Sequence, residues 1–152
     1  MSQIRLFIGL LLIAFAAADS MAADQPCAAT PAKPMGNNHI ANVAPFKVNV
    51  GKGLTLKGRV LSATNCQPIA DAVIEHWQAG NLGTYEKHLR AFTFSLPDGS
   101  YELETEWPNM PVPHIHFIVT ADHHSKLITQ WIPGNKTEST TFDLILKPAF
   151  SL

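Results

Sequence analysis

The chain has 152 residues, 11 basic and 12 acidic side chains, a formal net charge of −1 and 46% hydrophobic residues. That balance excludes the basic face on which nucleic-acid binding depends, and it offers no attraction to an acidic membrane. The length suits a single domain with its own core once a leader is set aside.

Residues 1–22 read as a signal peptide. Arg5 supplies the positive start, Leu6 to Ala18 is an apolar run too short to span a bilayer comfortably, and Ser20-Met21-Ala22 offers the small residues of a cleavage site. Cleavage near Ala22 predicts an exported protein, periplasmic or secreted, with no membrane attachment afterwards. Two cysteines remain, Cys27 and Cys66. An isolated pair in an oxidising compartment is expected to form a disulfide. Neither belongs to a Cys-x-x-Cys or Cys/His cluster, so a metal role is disfavoured.

Residues 23–53 are rich in Pro, Ala, Asn and Gly without periodicity, as in an irregular arm wrapped around a domain. His39 within it has no local partner and reads as solvated. From Leu54 the pattern changes to short strand-like runs separated by turn residues. These are Leu54–Leu61, Ala72–Ala79, Leu89–Ser95, Tyr101–Glu106, Pro113–Thr120, Leu127–Ile132 and Thr141–Lys147. Tyr101, Leu103 and Thr105 point inward, and Glu102, Glu104 and Glu106 outward. Seven short strands without a long amphipathic helix predict an all-β, antiparallel β-sandwich over residues 54–148, with 149–152 as a tail.

The run His114-Ile115-His116-Phe117-Ile118-Val119 carries the chemistry. On a strand its alternation puts His114 and His116 on one face, roughly 6.6 Å apart, with Ile115, Phe117 and Val119 on the other. Two imidazoles leaning over that gap can meet on one metal at about 2.0–2.1 Å each.

Several segments together resemble the intradiol ring-cleavage dioxygenases. They are Gly58-Arg59-Val60, Cys66-x-Pro68-Ile69-x-x-Ala72-x-Ile74-Glu75-x-Trp77-Gln78-Ala79, Gly83-x-Tyr85, Leu89-Arg90, Asp98-Gly99-x-Tyr101, His114-Ile115-His116-Phe117 and Leu127-Ile128-Thr129-Gln130. Cys27-x-x-Thr30-Pro31 is similar to the opening of that family's secreted branch. The resemblance implies a prealbumin-like sandwich and a mononuclear Fe(III) held by two tyrosinates and two histidines. It also implies opening of catechol-type rings by dioxygen between the hydroxyl-bearing carbons. Carried over position by position, it makes Tyr85, His114 and His116 metal ligands and places Gln130 at the active site. Trp77, Trp107 and Met110 are expected to approach the same pocket.

Two family features are absent. The second tyrosine belongs in a longer loop before the His-x-His strand, here cut to Trp107-Pro108-Asn109-Met110-Pro111-Val112-Pro113, and Pro111 stands where the family has an arginine. Tyr101 corresponds to a separate strand position. The shortened loop is expected to leave the pocket more open. Three readings therefore stand: an iron dioxygenase acting on a small catechol-type aromatic, a non-catalytic copper or iron binding protein on the same fold, and a sandwich with a dead site. His76, His88, His123 and His124 are candidates for an extra ligand, each with an ordinary structural reading. A homo-oligomer is compatible with all three.

Overall fold

Period-two hydrophobicity becomes eight strands in the computed structural model, which describes residues 26–36 and 38–149. The expected leader and its cleavage site lie outside the described residues. The strands are β1 Leu54–Ser62, β2 Val73–Ala79, β3 Tyr85–Phe94, β4 Ser100–Thr105, β5 Ile115–Thr120, β6 Leu127–Trp131, β7 Ser139–Thr141 and β8 Leu144–Leu146. One sheet has the order β4-β1-β7, with β8 also on β1; the other has the order β3-β2-β5-β6. Every pairing in the second sheet is antiparallel.

The core lies between the sheets. Leu54, Leu56 and Val60 of β1 and Leu103 of β4 face Ile74, Ile115, Phe117 and Val119 from the other sheet, all fully buried. β8 adds Leu144 and Leu146. Alternation gives each strand of the second sheet one core face and one outer face. His114 and His116 therefore share the outer face, opposite Phe117.

The last expected strand, Thr141–Lys147, differs. It is two short strands, β7 and β8, and both run parallel to β1. Phe142 lies against β1 between them, its N–H donating to the Lys57 carbonyl at 2.8 Å. Gly58 makes that close approach feasible, because a side chain there would strike the Phe142 backbone. The start of β3 also differs from the sequence reading. The strand begins at Tyr85, and its register against β2 shifts between Tyr85, opposite Ala79, and Arg90, opposite Trp77.

The arm crosses the outer face of the second sheet. Its start is tied down by the Cys27–Cys66 disulfide, with a Cα separation of 5.3 Å. Lys33 N–H then donates to the Ile128 carbonyl on the free edge of β6, and Thr129 Oγ1 donates to the Pro31 carbonyl. Farther on, Phe46 bridges to Phe92 on β3, and Asn49 to Glu104 on β4. The arm thus spans the second sheet from one edge to the other and reaches β4 of the first sheet. We expect unreduced, unfolded protein to show no free thiol. Replacing both cysteines with serine should cost about 4 kcal/mol in chemical denaturation, from the loop-closure entropy of a 40-residue ring.

Candidate metal centre

Strand register assembles the site. Trp77 on β2 lies opposite Arg90 on β3 and opposite His116 on β5, and His116 lies opposite Gln130 on β6. Arg90, Trp77, His116 and Gln130 therefore form one row across the outer face. Tyr85, opposite Ala79, begins the next row, on the side where His114 enters β5. An outer face is ordinarily wet, yet Trp77, Arg90 and His116 are only 1%, 4% and 3% exposed. The arm covers them.

Tyr85, His114 and His116 converge. The Tyr85 hydroxyl lies 3.0 Å from Nε2 of each histidine, and the two Nε2 atoms lie 3.0 Å apart. One ion about 2.0–2.1 Å from each donor holds tetrahedral neighbours roughly 3.3 Å apart, so this triangle has the dimensions of a single-ion site. Among the described residues no group of three or more His, Cys, Asp or Glu is arranged to hold a metal. The phenol oxygen is thus what makes a three-donor site.

Each ring is held from behind. His114 Nδ1 lies 2.7 Å from the Val112 carbonyl, an acceptor, so Nδ1 carries the proton and Nε2 presents its lone pair to the centre. The His116 ring stacks on Trp77, with centroids 4.8 Å apart and planes 5° from parallel. Its Nδ1 lies 3.2 Å from Gln130 Nε2, which also donates to the Pro34 carbonyl at 3.1 Å. With that amide orientation His116 is protonated at Nε2 and donates to the Tyr85 oxygen, while the phenol donates to His114. This is a closed network for the metal-free protein. To hold a metal through Nε2, His116 would carry its proton at Nδ1, and Gln130 would have to present its carbonyl oxygen there instead.

The electrostatics favour neutral groups in the free site. Burial first, then the charges of His114 and Arg90, lowers His116 from the model-compound 6.5 to about 4. Burial pushes Tyr85 above its usual value, opposed by the Asn38 side-chain amide and the Arg90 charge, both of which favour the phenolate.

The arm supplies the cover. Gly36, at φ +75°, passes so close that a Cβ would meet His116 Cε1 at 3.2 Å. Asn38 accepts from the Arg90 guanidinium through its carbonyl. His39 is not solvated, as the sequence led us to expect. Its ring lies 4.9 Å from the Trp77 ring, and its Nε2 is 3.1 Å from a Glu75 carboxylate oxygen.

Trp107 lies elsewhere than expected. It packs edge-on against Trp131, at 6.1 Å, and joins the inter-sheet core. Met110 sits in a loop whose neighbour Asn109 is bonded to Gly80 and Asn81, and no contact joins Met110 to the triad among the described residues. His76 is in the core, His88 lies between Glu86 and Glu106, and His124 bonds Ser62. None of them reaches the triad.

No family model matches the chain, and a search of curated proteins finds no sequence relative. Solved structures do match. The dioxygenase domain of a dioxygenase–carbohydrate-binding fusion from Streptomyces sp. SirexAA-E superimposes with a TM-score of 0.72 at 25% identity, covering 80% of this chain and 100% of that one. Hydroxyquinol 1,2-dioxygenase from Pseudomonas putida DLL-E4 gives 0.70 at 18% identity, covering 82% and 68%. Catechol 1,2-dioxygenase from Pseudomonas arvilla C-1 gives 0.69 at 22%, covering 80% and 63%. This is the intradiol dioxygenase fold. The chain spans the whole of the Streptomyces domain and about two thirds of the two longer enzymes. On the intradiol fold, the strands that carry Tyr85, His114, His116 and Gln130 belong to the sheet whose outer face the arm covers. Sequence reasoning missed Pro34, Gly36, Asn38 and His39 because the arm has no periodicity. Arg90 entered the sequence reading only through the Leu89-Arg90 match, and its place opposite Trp77 comes from the strand register.

Proposed function

We propose that this chain is an exported, metal-binding protein on the intradiol fold. In this reading Tyr85, His114 and His116 hold Fe(III), and the protein opens catechol-type rings with dioxygen. The observation that carries the reading is the triangle of one phenol oxygen and two imidazole nitrogens with 3.0 Å edges. Its donor chemistry fits, since a hard ferric ion favours anionic oxygen and a bound metal lowers the pKa of a phenol. Bound there, the ion would supply Lewis acidity toward a catecholate and the redox partner for dioxygen.

The chain's own groups do the positioning. The Val112 carbonyl fixes the His114 tautomer, Gln130 and Trp77 fix the orientation of His116, and the arm keeps bulk water from that side of the rings. Tyr85 would hold the ion as a phenolate. Three protein donors leave coordination positions open for a small aromatic substrate or water, as catalytic metal sites do.

One observation favours a second reading, a copper or iron binding protein without ring cleavage. The chain has two tyrosines, and Tyr101 is buried with its hydroxyl donating to the Phe142 carbonyl. The site therefore has a single phenolate, and two imidazoles with one phenolate also suit Cu(II). Protein recovered from its native compartment decides between them by metal content, visible spectrum and oxygen uptake with catechol. Iron, a tyrosinate charge-transfer band and catechol-dependent oxygen uptake support the enzyme. Copper without uptake supports the second reading, and metal-free protein that binds neither ion overturns both.

Gln130 gives a sharper test of the ligand set. Gln130→Glu supplies an acceptor for His116 Nδ1–H without any amide rotation, and metal affinity should hold or rise. Gln130→Leu should weaken it by about tenfold or more, the usual cost of losing an outer hydrogen bond to a ligating histidine. Competition with a chelator of known affinity measures both.

A further inference from the structure

Arg90 is a buried cation without a counter-ion. It is 4% exposed, its Nη2 is spent on the Asn38 carbonyl, and its buried Nη1 has no hydrogen-bond partner. Among the described residues it makes no ion pair. The charge of Glu75 acts on it without forming an ion pair, and that carboxylate is engaged by His39. An uncompensated buried charge costs several kcal/mol, so a native protein ordinarily provides it with a partner.

A cavity of about 280 Å³ lies against this side chain, lined by Arg90, Lys87, Ile40 and Val43. Two cations and two branched aliphatic side chains line it, with no carboxylate among them. Its size is near the lower end for small-molecule sites, which start at roughly 300 Å³. Ile40 and Val43 are about half exposed and belong to a short turn around Asn42 (φ 59°). That turn lies between the His39–Glu75 contact and the hydrogen bond from Phe92 N–H to the Pro45 carbonyl.

We propose that Arg90 and Lys87 form a binding site for a small carboxylate with an apolar body, seated under Ile40 and Val43. The carboxylate supplies the partner that Arg90 lacks, and charge-assisted pairing to a guanidinium is among the stronger hydrogen-bonding arrangements. Lys87 adds a second, more exposed charge at the rim. The aliphatic walls select an aromatic or branched body over acetate. The site stands on groups outside the ligand triad, so it does not depend on which metal the protein holds.

The test is calorimetric titration of the full mature chain, stripped of metal, with benzoate, its neutral analogue benzamide, and acetate. Benzoate should bind saturably, with benzamide and acetate each at least about tenfold weaker, a difference near 1.4 kcal/mol. Arg90→Met should lose benzoate binding by about tenfold or more, and Arg90→Lys should retain part of it. Circular dichroism and thermal unfolding establish that each variant is folded. If Arg90→Met does not fold, Arg90→Lys and Lys87→Met carry the comparison. Equal binding of benzoate and benzamide overturns the proposal, as does undiminished benzoate binding by a folded Arg90 variant. Absence of saturable benzoate binding also overturns it. None of these outcomes bears on iron content or ring cleavage, so the two proposals fail separately.

Discussion

Replacing His116 with Ala is expected to abolish stoichiometric metal binding, lowering affinity by at least about 100-fold. Changing an outer partner of a metal ligand already costs roughly 10- to 100-fold, and this change removes a ligand itself. It removes one corner of the donor triangle and leaves Tyr85 and His114, two donors that compete poorly with buffer. It also removes the ring stacked on Trp77, so some stability is lost with it. His116→Gln separates the two effects, because it retains bulk against Trp77 while removing the imidazole. His124→Ala is the control: that ring bonds Ser62 Oγ and the Asp122 carbonyl and takes no part in the triad. Dialysis against a chelator followed by elemental analysis reads the result. Parent-like metal retention by both His116 variants would remove the basis for either functional reading and leave an inert sandwich.

Part of this site was legible in strand periodicity, since the alternation around Ile115 put the two histidines on one face. Tyr85 and Gln130 came from the family resemblance, through Gly83-x-Tyr85 and Thr129-Gln130, and the strand register sets Gln130 opposite His116. Trp107 shows where pattern matching failed although the physical signal was present. It shares parity with Tyr101, Leu103 and Thr105, the core-facing residues of β4, and it continues inward to meet Trp131. The arm could not be read this way. Its contacts at Pro34, Gly36, Asn38 and His39 are single contacts from irregular backbone to distant strands, and no local periodicity encodes them. What the sequence did show was a tether for it, in Cys27 and Cys66. The burial of an outer sheet face was therefore the least predictable feature, although it shields His116 and sequesters Arg90.

His76 should set the acid limit of the fold. It points into the inter-sheet core from β2, opposite Ala91 and Phe117, and is fully buried with both ring nitrogens unpartnered. Its nearest aromatic neighbour is Phe117, with ring centroids 6.4 Å apart. A charged imidazole in that position has no acceptor among the described residues, and burial lowers its pKa from 6.5 to about 4. A depressed folded-state pKa means that the folded state resists a proton the unfolded chain accepts readily. The stability at stake is therefore fully present above pH 6.5 and is lost as the pH falls toward 4. The loss is about 2 kcal/mol by pH 5 and on the order of 3 kcal/mol in all. Even when neutral, the ring leaves two polar atoms unsatisfied in an apolar core, a cost of roughly 1–3 kcal/mol. His76→Leu should accordingly raise stability at pH 7 by about 1–2 kcal/mol, once some mismatch in shape is allowed for. Its advantage over the parent should then widen as the pH drops. Urea unfolding of both proteins at pH 7 and pH 5 measures this, and the comparison cancels the contribution of His116, which both retain. Equal acid sensitivity in the two proteins would mean that His76 is not the group that titrates. A less stable variant at pH 7 would mean that the ring nitrogens have a partner, such as an ordered water, whose loss outweighs the relief of burial.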